Sequence, residues 1–122
     1  MSAHPVHITP LTPLLLLERS ADVFADATAV VHGDVRMTYR DLAEEVQRVA
    51  AGLRASGVGP GDRVAYLCPN TPALLVAHFA VPLAGAVLVA VNTRLHAEEV
   101  RSICLHSGAR MIVADTALAG SV

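Results

Sequence analysis

The sequence has no lysine: its nine basic residues are all arginines, set against eleven acidic ones for a formal charge of −2. So balanced a chain makes no basic field, and nucleic acid is not an expected partner. Tryptophan is absent too, and Phe24, Tyr39, Tyr66 and Phe79 are the only aromatics, which leaves no platform for stacking bases. Cysteine is confined to Cys68 and Cys104, 36 positions apart and outside any C-x-x-C pair. Such isolated thiols read as reduced core residues of a cytoplasmic protein. The N-terminus has no basic stretch, and the apolar run Leu14–Leu17 is too short for a secretory signal. The G-x-S-x-G elbow of a serine nucleophile is missing. His96 and His106 share a helical stripe with Glu99 but stand ten residues apart, unlike H-E-x-x-H, so no metal site is expected.

The chain is instead rich in apolar residues, with a mean hydropathy of +0.50. Between Pro72 and Val91 the sole ionisable side chain is His78, over a length that could cross a bilayer. Pro82 and Gly85 interrupt that run, and Ala86–Val91 is an apolar stretch of strand length with alternating valines. A buried helix followed by a buried parallel strand has the same hydropathy as a membrane span. That reading is preferred, with no transmembrane segment and with His78 as a hydrogen-bonded core histidine.

The periodicities place the other elements. Leu14, Leu17, Ala21 and Phe24 recur at helical spacing within Leu11–Phe24. Thr28–His32 and Val35–Thr38 flank Gly33-Asp34 as a hairpin. Thr38, with Asp41 three residues on, forms a variant capping box for a helix carrying Leu42, Val46, Val49 and Leu53 on one stripe. Gly57 closes that helix, and Arg63–Cys68 is a strand. Asn70 or Thr71 caps the next helix, with Pro72 in its first turn. After the Ala86–Val91 strand come a helix over His96–Ser107, facing Val100, Ile103 and Cys104 inward, a stop at Gly108 and a strand at Met111–Ala114. Residues 115–122 read as the beginning of another helix. Helix and strand alternation implies an α/β fold: a small β-hairpin plus a partial parallel sheet with flanking helices. The expected division is a flexible tail over 1–10 and a single truncated domain over 11–122. Its missing elements would leave apolar faces uncovered, and patches beyond roughly 400 Å² favour association.

Gly57-Val58-Gly59-Pro60-Gly61-Asp62 invites a phosphate-loop reading, but phosphate loops follow a strand and precede a helix, whereas these glycines follow a helix and precede a strand. Pro60 also removes a donor, so a helix stop and tight turn is the better reading. The run from Gly57 to Leu95, ending in Asn92-Thr93-Arg94-Leu95, together with Met37-Thr38-Tyr39-Arg40-Asp41-Leu42, resembles the N-terminal part of adenylate-forming acid–CoA ligases, the acyl-CoA synthetase family. The resemblance covers roughly residues 11–115. Ala80–Val87 with Asn92–Leu95 is most similar to medium- and long-chain fatty acyl members.

The resemblance implies a complete enzyme that uses ATP, Mg²⁺ and CoA to turn a carboxylic acid into an acyl-adenylate and then an acyl-CoA. The family's Ser/Thr/Gly-rich ATP loop ending in lysine has no counterpart here, nor has the lysine of its C-terminal lid. The chain alone is therefore expected to bind none of these cofactors and to be inactive, a scaffold portion with no catalytic residue. A stand-alone interaction module pairing with a separate ligase half is the alternative. Its expected partners are the remainder of a ligase or a second copy met through uncovered apolar faces. Arg94 is the candidate cofactor-binding residue, because in some family members the equivalent arginine lies near the CoA nucleotide, and a guanidinium fork suits phosphate. The competing readings are an ion pair with Glu98 one helical turn on, or a cap on a neighbouring helix. Asn92 is expected to stabilise the turn. The acid itself is not legible.

Overall fold

The computed structural model describes residues 9–122, so most of the expected 1–10 tail lies outside the described residues. The elements are α1 (Pro13–Val23), β1 (Thr28–His32), β2 (Val35–Thr38), α2 (Tyr39–Ala55), β3 (Arg63–Leu67), α3 (Pro72–Leu83), β4 (Val87–Ala90), α4 (Ala97–Ser107) and β5 (Ala109–Ala114), followed by a 3₁₀ turn over Thr116–Ser121. The antiparallel hairpin β1–β2 stands apart from a three-stranded parallel sheet ordered β4-β3-β5.

The alternation of β3 builds two apolar layers. Val64 and Tyr66 face one side, where they join Val46, Ala50 and Leu53 of α2 and Val76, Ala77, Ala80 and Val81 of α3. Ala65 and Leu67 face the other side and meet Val91 and Val100. A central parallel strand covered on both faces needs an unbroken apolar sequence, and Val64–Leu67 are all buried.

Local chemistry sets the ends of the helices. Asp41 N–H donates to Thr38 Oγ1 at 3.1 Å, and the Thr38 N–H donates back to Asp41 Oδ2 at 2.8 Å, completing the capping box at α2. The Thr38 N–H, and with it the Thr38 hydroxyl that donates to the same Oδ2 at 2.8 Å, hold the Asp41 carboxyl below its ordinary range. At the other end Gly57, at φ 88°, lets its N–H reach Arg54 O at 3.0 Å and the Val58 N–H reach Leu53 O at 3.1 Å. This is a Schellman motif, with Leu53 and Val58 buried together behind it. The glycine segment is thus a helix stop. Its Asp62 carboxylate accepts from Gly59 N–H at 2.8 Å and closes the turn.

Several expectations need correction. The first helix starts at Pro13 because Thr12 is its cap, with Thr12 Oγ1 accepting from Leu15 N–H at 3.2 Å. Leu11 and Phe24 consequently fall outside it and are exposed. In α2, Ala50 rather than Val49 completes the buried stripe, Val49 being half-buried beside it. β5 begins at Ala109, two residues early, since Gly108 alone makes the reversal in the left-handed region at φ 63°. Residues after Asp115 form a 3₁₀ turn, Asp115 Oδ1 accepting from Ala117 N–H at 2.9 Å. The apolar run 72–91 resolves into α3 and β4, and among the described residues no helix is long and apolar enough to cross a membrane.

Candidate functional site

In an open parallel sheet, adjacent strands whose following helices leave to opposite faces create a crevice at their carboxyl ends, the usual position for a ligand. The helix after β3, α3, packs on the Val64/Tyr66 face, whereas the helix after β4, α4, packs on the Ala65/Leu67 face. The switch point therefore lies between the carboxyl ends of β3 and β4. The loops that meet there are Cys68–Thr71 and Val91–His96, and the second carries Arg94.

The loop around Arg94 is fixed by its own backbone chemistry. The Val91 N–H donates to Tyr66 O at 2.9 Å and ties the end of β4 to β3. Asn92 Oδ1 accepts from the Arg94 N–H at 3.0 Å, the turn-forming role expected of it. Glu99 Oε2 accepts from the His96 N–H at 2.9 Å and starts α4, which accounts for the His96–Glu99 part of the histidine stripe. The Arg94 side chain is exposed. Neither competing reading of it is realised: its guanidinium has no carboxylate within 4.0 Å and caps no helix carbonyl among the described residues.

The opposite loop presents exposed Asn70 and half-buried Thr71. Thr71 is the cap residue of α3 but makes no side-chain cap bond; its hydroxyl lies 3.4 Å from Cys68 Sγ. Beside it, an apolar groove of about 460 Å³ runs between the hairpin and α3, lined by Val31, His32, Leu75, His78 and Phe79 among others. His78 is exposed there, correcting the expectation of a core residue: the buried stripe of α3 is Val76, Ala77, Ala80 and Val81, and position 78 points away from it. It is hydrogen-bonded as expected, through Nδ1 to Leu74 O at 2.8 Å. Sequence reasoning took Asn70 and Thr71 only for caps; a strand end followed by two polar residues was the signal available.

Tyr66, near the carboxyl end of β3, is buried in the core. Burial, and secondarily Cys68, push its phenol above the ordinary value. Both cysteines are free thiols, Cys68 buried and Cys104 half-buried.

Residues 17–121 match the family model described as AMP-binding enzyme. The chain is 41% identical over 111 residues to the peroxisomal acetate/butyrate–CoA ligase of Arabidopsis thaliana, covering 91% of this chain and 20% of the relative. Among solved structures it matches a long-chain-fatty-acid CoA ligase (putative by its own description) from Rhodopseudomonas palustris, with TM-score 0.86 and 37% identity over 92% of this chain and 28% of that one. It also matches the Mycobacterium tuberculosis fatty acyl CoA synthetase, with TM-score 0.85 and 35% identity over 88% of this chain and 22% of that one. The chain thus spans about a fifth of the length of the curated relatives it matches.

Proposed function

The chain belongs to the AMP-binding enzyme family, and from that premise we propose that it is the scaffold portion of an ATP-dependent acid–CoA ligase, inactive by itself. The observation that supports this is the pairing of a family match over residues 17–121 with a sequence that contains no lysine. Phosphoryl and adenylyl chemistry needs cationic groups placed on the developing charge. Here the arginines that the fold holds in place point to its own carbonyls and carboxylates, as with Arg63 on Ser107 O and Arg110 on Asp62. The ATP, Mg²⁺ and CoA of the complete reaction would be held mainly by groups outside this chain.

Within that reading residues 11–122 are one partial domain, and Arg94 is its contribution to cofactor binding. An exposed guanidinium, unpaired among the described residues, on the loop after a parallel strand at the switch point, can offer bidentate donors to a phosphate of the CoA nucleotide. The partner is the remainder of a ligase, whose elements would complete the sheet beyond β4 and β5. Two free thiols fit the reducing cytoplasm.

Mixing this chain with a homologous ligase polypeptide that lacks the corresponding residues tests the proposal. Acyl-CoA formation restored by the mixture supports a scaffold half. Restoration by Arg94→Ala with an unchanged KM for CoA would remove Arg94 from the site. A failure to associate at all would favour the alternative, a stand-alone interaction module.

A further inference from the structure

The loop that carries Arg94 is shaped by its own residues. Val91 fixes its start, with its N–H on Tyr66 O at 2.9 Å and its side chain in the buried cluster of Leu67 and Val100. Leu95 fixes its end, half-buried against the same cluster. Between these anchors Asn92–Leu95 is a turn, in which the Leu95 N–H approaches Asn92 O at 3.4 Å. Asn92 closes it from inside: its Oδ1 accepts from the Arg94 N–H at 3.0 Å, the bond of an Asx turn. These contacts join β3, the loop and the start of α4, so they do not depend on whatever else packs around the sheet.

An Asx turn takes aspartate as readily as asparagine, so the turn by itself does not account for a neutral side chain at this exposed position. Charge supplies the reason. The first turn of α4, directly after the loop, carries Glu98 and Glu99, both exposed, and Glu99 is held on the His96 N–H at 2.9 Å. A carboxylate at position 92 would set acid before Arg94 in the chain as well as after it. It would take the guanidinium fork for itself or repel an arriving phosphate. Asparagine offers the same acceptor oxygen without the charge, and the Arg94 guanidinium has no carboxylate within 4.0 Å among the described residues.

We propose that Asn92 is a positioning residue for the cofactor contact: it holds the Arg94 peptide in place and, being neutral, keeps the guanidinium fork open for a phosphate of CoA. The inference rests on the reading of Arg94 as that contact. It separates two duties of one side chain, the bond that shapes the turn and the absence of charge that spares the fork, and different substitutions remove them one at a time.

Nitrogen-15 relaxation of the 122-residue chain reads the turn. The Arg94 backbone order parameter is expected near ~0.85 in the parent and in Asn92→Asp, which keeps the acceptor, and is expected to fall toward ~0.6 in Asn92→Ala. The KM values for CoA and ATP, measured on this chain mixed with a homologous ligase polypeptide that lacks the corresponding residues, read the fork. The KM for CoA should rise about threefold to tenfold for Asn92→Ala, the cost of ordering a loosened loop. Asn92→Ser, with a neutral but weaker acceptor, should fall between that variant and the parent. Asn92→Asp should raise it about tenfold despite its rigid loop, a rise that shrinks as salt is added. The KM for ATP and kcat stay unchanged throughout. Position 92 is exposed, and circular dichroism melts establish that each variant is folded. If Arg94→Ala raises the KM for CoA but Asn92→Asp matches the parent, the turn is merely structural and the inference alone is overturned. Equal order parameters in the parent and Asn92→Ala overturn it too, as does a rise in the KM for ATP in place of CoA. A mixture that forms no acyl-CoA, or whose KM for CoA ignores Arg94→Ala, overturns the cofactor reading and the inference with it.

Discussion

The two ends of the parallel sheet use arginine in opposite ways. At the amino end every arginine is tied down. Arg63 Nε donates to Ser107 O at 2.7 Å and its Nη1 to Gly61 O at 3.1 Å, capping the end of α4. Arg110 pairs with Asp62, and Arg54 donates to Leu83 O at the end of α3. Backbone bonds lace the same end: Gly61 N–H to Gly85 O and Val87 N–H to Asp62 O, both 2.8 Å. At the carboxyl end Arg94 is tied, among the described residues, to nothing beyond its own peptide N–H. A guanidinium that fills a helix C-terminus satisfies orphan carbonyls and completes the dipole, which is a stability role. A guanidinium held out at a switch point, with its loop fixed but its fork unused, is available to a ligand. Residue type alone does not separate the two; position along the strand does.

Breaking the amino end should have the largest effect. A Cβ at Gly108 would stand 2.5 Å from Arg63 Nη2, and the residue sits at φ 63°. Gly108→Val is therefore expected to cost about 2–3 kcal/mol, from left-handed strain together with displacement of the cap. Chemical denaturation would measure it. Next comes Arg63→Ala, which leaves Ser107 O without its donor and should cost about 1–2 kcal/mol by the same measurement. Arg63→Lys should recover only part of that, since one ammonium does not reproduce the fork that reaches both carbonyls.

A smaller effect sharpens the comparison from the carboxyl end. The Tyr66 phenol has its pKa raised by burial in the folded chain. The folded state therefore holds the proton more tightly than the unfolded one, and this contribution is intact below pH ~10. It is lost as pH rises through the raised value. Stability measured between about pH 9 and pH 11 should fall more steeply for the parent chain than for Tyr66→Phe. Smallest of all is Arg94→Ala, expected to change stability by no more than about 0.5 kcal/mol, as for an exposed side chain without partners. A larger loss would mean that Arg94 is a structural arginine like Arg63, and the contrast between the two ends would collapse.

Much of this organisation was legible in the sequence because it rests on local chemistry. Thr38 and Asp41 declare a capping box by spacing alone, and Gly57 and Gly108 mark helix stops that only the left-handed region explains. The apolar stretch over 72–91 could be split correctly because Gly85 ends α3 with its N–H on Pro82 O at 2.9 Å. What could not be read depends on partners distant in the chain. Arg63 meets Ser107 across 44 residues, and Arg54 meets Leu83 across 29, with no periodicity to announce either. His78 looked like a core residue because its neighbours are apolar, yet α3 buries only one side. The strand order β4-β3-β5, from which the switch point follows, is likewise set by side-chain packing between elements. Arg94 was singled out through a family resemblance, and only the strand order supplies an independent physical reason for its position.

The central claim is that this chain supplies scaffold and a cofactor contact but no adenylation chemistry. ATP–pyrophosphate exchange, measured on the purified chain with a panel of fatty and aromatic acids, tests it most directly. No exchange above the protein-free control is the expected result, since the sequence has no lysine to set on the transferring phosphorus. Exchange that follows the concentration of this chain would show an adenylating site built without lysine, and would contradict the account.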